Sequence, residues 1–185
     1  MIFLKKLKYS LIAAIMCGSF SVSAAEPVFT ETQLDNLHYA YAFGEQYQKS
    51  GKFKENPNQK GLGYIMAGLL WQESSAGINQ GLNKDKHHAY GMFQNYLPTL
   101  RSRVQQVGWK MSDKEIIRMV QKRQNSASWA YIELSYWIDV HKGDLRKAIA
   151  SYNAGWNVKA GSKYASEVLE KANYLKSKKM FEAVY

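Results

Sequence analysis

The sequence predicts an α+β fold, predominantly α, in a single domain with a small irregular or hairpin lobe. Three observations carry that expectation. Apolar residues recur at three- and four-residue spacing in segment after segment, and no stretch alternates convincingly at period two over more than a few residues. Residues 78 to 95 hold turn formers where a helical stripe would otherwise continue. At 185 residues the chain is long enough to bury one sizeable core, and neither an internal repeat nor a low-complexity segment interrupts it.

The first 25 residues read as a separate unit. Lys5, Lys6 and Lys8 precede an apolar run from Leu11 to Val22, and the small residues Ser23, Ala24 and Ala25 follow. This is the pattern of a secretory signal peptide, too short for a spanning helix, with cleavage expected after Ala24 or Ala25 and export across the inner membrane to the periplasm. The alternative is an uncleaved membrane anchor. The single cysteine, Cys17, lies inside this segment, so the processed chain carries no thiol. Disulfide scaffolds and cysteine-based zinc or nucleophile chemistry are thereby excluded. Removing the three leader lysines from 25 basic side chains leaves 22 against 15 acidic ones, a net charge of about +7. Outside the cytoplasm such a charge favours anionic envelope polymers or lipid headgroups, and export argues against nucleic acid.

The elements follow in order. Thr30 or Thr32 caps a helix running to about Ser50 and closed by Gly51, with Leu34, Leu37, Tyr41 and Gln48 on one face. A loop over residues 52 to 60 contains Asn56-Pro57-Asn58, so residues 26 to 60 form an N-terminal helix and loop. The next helix carries Leu62, Ile65, Met66, Leu69 and Leu70 on its stripe, and Gly77 supplies the left-handed residue that ends it. After the turn-rich lobe, helix resumes near Leu97 with Pro98 in its first turn and stops at Gly108. Ser112-Asp113-Lys114-Glu115 is a capping box that opens a helix burying Ile116, Ile117 and Val120. Trp129, Ile132, Tyr136, Trp137 and Val140 mark a further helix ended by Gly143, and their helical spacing favours core packing over a sugar platform. Asp144 caps a helix bearing Leu145, Ala148, Ile149 and Tyr152, which ends in Asn153-Ala154-Gly155. Ser162 starts the last long helix, with Tyr164, Ala165, Val168 and Leu169 on one side. The main domain thus spans residues 61 to 175, followed over residues 176 to 185 by a basic, solvated C-terminal tail.

One position on these stripes is chemically out of place. The step after Leu69 and Leu70 is Glu73, a carboxylate where a leucine is expected. Burial there, together with the negative end of the helix dipole, raises a carboxylate's pKa, and an acid still partly protonated near neutral pH is suited to general acid catalysis. No other acid stands out on a core-facing stripe. Adjacent His87 and His88 point apart and find no third ligand at a suitable spacing, so no metal is expected.

Taken together, Glu73-Ser74, Gly91-Met92-Phe93-Gln94 with Pro98-Thr99, and Ser151-Tyr152-Asn153-Ala154-Gly155 resemble, in order and spacing, the motifs of the soluble-type lytic transglycosylases. These enzymes are similar in fold to goose-type lysozymes, and the resemblance covers residues 60 to 172. It departs from the family pattern in Gly-Met-Phe-Gln for Gly-Leu-Met-Gln, in Ser151 for an alanine, and in Ser75-Ala76-Gly77 after the catalytic pair.

The resemblance implies a lysozyme-like domain that cleaves the MurNAc-GlcNAc β-1,4 bond of peptidoglycan and closes a 1,6-anhydro ring, with no cofactor. It assigns Glu73 as general acid and base, and Ser74 as a partner of Glu73 or of the sugar. Gln94 and Asn153 bind sugar, Tyr152 and Tyr164 orient the carboxyl, and Met92 makes an apolar contact. Asp85 lies where goose-type lysozymes carry acids that position water, and hydrolysis competes if it faces Glu73; otherwise it is a solvated loop residue. The expected partner is the glycan strand, met by a monomer that acts alone in wall turnover or with a secretion, conjugation or phage apparatus. A lysozyme-type hydrolase, and a non-catalytic wall-binding or assembly protein, are the alternatives.

Overall fold

The computed structural model describes residues 26–49, 61–80 and 87–181, with the backbone alone at 47–49. The expected leader, the expected loop over 52–60, Asp85 and the closing positions of the expected first helix, Gln48 as a face residue among them, lie outside what is described. Seven helices and one two-stranded sheet make up the described elements: α1 Glu31–Lys49, α2 Gly63–Ser74, β1 Ala89–Tyr90, β2 Asn95–Tyr96, α3 Leu97–Gln106, α4 Asp113–Val120, α5 Arg123–Val140, α6 Leu145–Ala154 and α7 Ser162–Ser177. The fold is therefore predominantly α with a small β element, and no described helix is long and apolar enough to cross a membrane.

Local chemistry accounts for the boundaries. Thr30, rather than Thr32, caps α1: its Oγ1 accepts from the Gln33 N–H at 3.3 Å while Gln33 Oε1 accepts from the Thr30 N–H at 2.9 Å. At α4 the Ser112 and Glu115 capping box is complete. Asp144 Oδ1 accepts from the Lys147 N–H at 3.0 Å and opens α6. The β strands pair antiparallel, Ala89 opposite Tyr96 and Tyr90 opposite Asn95, so Gly91-Met92-Phe93-Gln94 is the hairpin turn.

Side chains pack into two buried clusters. The larger takes Leu37 and Ala40 from α1, Met66, Leu69 and Leu70 from α2, Leu134 and Ile138 from α5, Ile149 from α6 and Val168 from α7. The smaller joins Tyr90 of the hairpin to Leu100 and Val104 of α3, Ile116 and Val120 of α4 and Trp129 of α5. Helix α5 runs through both. The N-terminal helix thus belongs to the main core; a Cβ on Gly44 would stand 2.8 Å from the Gly63 Cα, so α1 and α2 cross at backbone contact. Of the face expected for α1, Leu37 is buried and Tyr41 packs against the core, whereas Leu34 is 40% exposed because Asn36 and Ala40 take the inner side.

The expected solvated tail needs correcting. Helix α7 continues through Lys176 to Ser177, Lys178 pairs with Glu26 at 2.5 Å, and Met180 and Phe181 pack against the main core. Phe181 stacks on Tyr41 with ring centroids 4.8 Å apart. Two apolar side chains just beyond the lysines outweigh the charge pattern that suggested a free tail.

Candidate active site

Helix α2 is apolar nearly all round, as befits an element packed between α1 and α7, and Glu73 occupies its last turn. The carboxyl is half-buried at the wall of a cleft of about 730 Å³. Desolvation pushes its pKa from the ordinary 4.5 up to about 7, opposed in part by the Tyr164 hydroxyl of α7, which donates a short hydrogen bond to Glu73 Oε1. A carboxylic acid that keeps its proton near neutrality therefore faces a space large enough for a ligand.

The helix ends two residues earlier than Gly77 suggested. Ser75 and Ala76 are themselves left-handed, at φ 50° and 58°, and Gly77 follows at 88°. The Ser75 N–H reaches Trp71 O at 3.0 Å, the bond of an αL cap, and the Ala76 N–H reaches further back to Leu70 O at 3.3 Å. Two non-glycine residues in this region cost of order 1 kcal/mol each, and α1 offsets that cost. Gln33 donates to the Ser75 carbonyl and Asn36 to the Ala76 carbonyl, each at 3.0 Å.

Ser74 does not serve the role the motif implied. Its side chain is buried and its hydroxyl donates to the Met92 carbonyl at 2.6 Å while accepting from the Gly77 N–H at 2.8 Å. It ties the hairpin turn to the end of α2 and does not line the cleft. Met92 is likewise withdrawn: it is 3% exposed in the main core, so it supports the turn from beneath and is closed to a sugar. On the other side, Ser126 of α5 accepts from the Phe93 N–H at 3.1 Å and from the Asn95 amide at 2.9 Å. Gly91, at φ 76°, makes this approach feasible, because a Cβ there would lie 2.2 Å from the Val120 carbonyl.

Gln94, Tyr152 and Asn153 line the same cleft as Glu73. Gln94 is held by its own amide, which donates to the Gly91 carbonyl at 2.7 Å. The Tyr152 hydroxyl donates to the Phe93 carbonyl at 3.1 Å, so of the two tyrosines expected to orient the carboxyl it is Tyr164 that bonds it. Burial raises both tyrosine hydroxyls well above their ordinary pKa, and the Glu73 charge adds to this. Each remains a neutral donor across the working range.

Arg103 of α3 and Trp129, Glu133 and Trp137 of α5 also line the cleft; no motif points to Arg103 or Glu133, and the helical spacing of the two tryptophans points to core packing. The carboxylate of Glu133 receives Arg103 Nε at 3.2 Å and Nη2 at 3.1 Å on one oxygen, and Trp137 Nε1 at 2.8 Å on the other. A second carboxylate thus lines the cleft, which corrects the expectation of a lone acid. The signal was available, since Trp129, Glu133 and Trp137 step by four residues along one helix face. The tryptophans, at 9% and 6% exposure, are both core and cleft wall. His87 reaches the cleft rim and His88 is exposed, and among the described residues no cluster suited to a metal ion occurs.

Compared with known proteins, the chain is 62% identical over 180 residues to the uncharacterized 20.7 kDa protein in the vs-regB intergenic region of Enterobacteria phage T4, covering 96% of this chain and 99% of that one. No family model matches it and no solved structure matches it.

Proposed function

The chain belongs to the family of the uncharacterized 20.7 kDa protein of Enterobacteria phage T4, and from that premise and the cleft around Glu73 we propose a peptidoglycan lytic transglycosylase on a lysozyme-like fold. The observation that carries the proposal is the half-buried Glu73 carboxyl, with a pKa of about 7, set in a cleft beside Gln94, Tyr152 and Asn153. The protonated acid donates to the glycosidic oxygen as the bond to the MurNAc anomeric carbon breaks, and the substrate's N-acetyl oxygen stabilises the positive centre. The resulting carboxylate takes the proton of the MurNAc C6 hydroxyl, whose oxygen attacks the anomeric carbon. That step closes the 1,6-anhydro ring and returns Glu73 to its acid form, so no water is consumed. Tyr164 steadies the carboxyl in both protonation states.

A phage relative favours local opening of the host wall, during infection or lysis, after export to the periplasm. Digestion of purified sacculi tests the chemistry: the proposal requires muropeptides one water lighter than the reducing forms, and requires Glu73→Gln to release none. A second reading, hydrolysis of the same bond, is favoured by the Glu133 carboxylate, and reducing-end products alone would move the assignment there. Release of muropeptides by Glu73→Gln at the wild-type rate would sink both.

A further inference from the structure

The α5 wall of the cleft carries more chemistry than protonation of a glycosidic oxygen requires. Glu133 is only 19% exposed and is fixed from two sides, by Arg103 and by the Trp137 indole. Arg103 is itself immobilised, stacked over the Tyr136 ring at 4.1 Å and bonded to Gln106 at 3.2 Å. A carboxylate offers about four lone-pair positions, and the three donors supplied by Arg103 and Trp137 leave one on Oε1. Close by, Trp156 projects from the turn that follows α6 with 73% of its surface exposed. Its ring meets the cleft-lining Trp137 edge to face, at 5.0 Å and 81°, so the indole is braced by the cleft wall while much of its surface stays free. Gly155, directly before it, lines the cleft. The indole is thus held at the cleft edge by Trp137 while most of its surface faces solvent.

An N-acetylhexosamine ring has one face of C–H groups and a rim of hydroxyl and amide donors. A flat indole suits the face, and a fixed, desolvated acceptor suits one donor of the rim. We propose that Trp156 and Glu133 form a glycan subsite on the α5 wall, which holds one N-acetylhexosamine ring of a β-1,4-linked strand while Glu73 acts on a neighbouring linkage. The subsite rests on the glycan-cleaving reading of the cleft. It gives Glu133 a binding role: the guanidinium and indole hold its carboxyl in place with one acceptor position turned to the ligand.

The test uses Glu73→Gln protein, which keeps its shape but does not cut, titrated calorimetrically with the hexamer and the dimer of β-1,4-linked N-acetylglucosamine. Adding Trp156→Ala is expected to weaken hexamer binding about tenfold, with Trp156→Phe restoring most of it and the dimer affected less than the hexamer. Glu133→Gln should weaken the hexamer about fivefold. Because Trp156 is exposed, its variants should melt with the parent, which separates lost contact from lost structure. If the parent binds the hexamer and Trp156→Ala binds it equally well, the subsite is overturned while the catalytic proposal stands. If wild-type protein releases nothing from sacculi and the parent binds no oligomer, the catalytic proposal fails and the subsite fails with it.

Discussion

Ionisation of a glutamic acid that titrates near pH 7 inside a fold weakens that fold. Between the unfolded pKa of about 4.5 and the folded pKa of about 7, native Glu73 holds more protons than the unfolded chain, so stability falls as pH rises through this window. The full gap corresponds to about 3 kcal/mol. Glu73→Gln should therefore be more stable than wild type by about 2–3 kcal/mol at pH 8.5 and equal to it at pH 4, as read from urea unfolding. Equal stability at both pH values would show that the carboxyl is solvated. Tyr164→Phe removes a donor to the charged form, so the Glu73 pKa rises further and the alkaline limb of the pH–activity profile moves up. A downward shift would contradict that role. Glu73 was legible in the sequence because an acid on an apolar stripe breaks a period. Glu133 breaks one too, but the spacing of its aromatic neighbours is that of core packing, and these rings serve core and cleft together.

Two serine hydroxyls position the hairpin, and neither is visible in a periodic pattern. Ser74 reaches a carbonyl 18 residues on, and Ser126 serves groups 33 and 31 residues back. Helix positions could be read from spacing and caps, and the Ser112 box and the Asp144 cap lie where the sequence places them. Side chain to backbone bonds over such separations depend on how elements dock, which no local pattern encodes. The same holds for the left-handed Ser75 and Ala76, whose carbonyls are met by Gln33 and Asn36 from another helix. Ser126→Ala leaves the Phe93 N–H without its acceptor, while the Asn95 amide keeps the Ser126 carbonyl at 3.2 Å, and should cost about 1–3 kcal/mol in denaturant melts, with a fall in kcat as the turn beside Glu73 loosens. Undiminished stability and activity would mean that the hairpin is held by its other contacts.

Across the whole molecule, a larger core and a smaller one share α5, and the cleft opens where they meet. This arrangement explains why Trp129 and Trp137 line the cleft while remaining almost fully buried. The C-terminal segment belongs to the larger core, so Phe181→Ala should lower stability by about 1–2 kcal/mol, a fraction of the loss for a fully buried ring, and leave kcat unchanged. An unaltered melting temperature would return the segment to the status of a tail. The proposed chemistry presupposes the proton on Glu73. Its state is most directly read by a carbon NMR titration of the glutamate carboxyls in wild-type and Glu73→Gln protein: one resonance, absent from the variant, should have its midpoint near pH 7, and a Glu73 midpoint near 4.5 would overturn the catalytic reading.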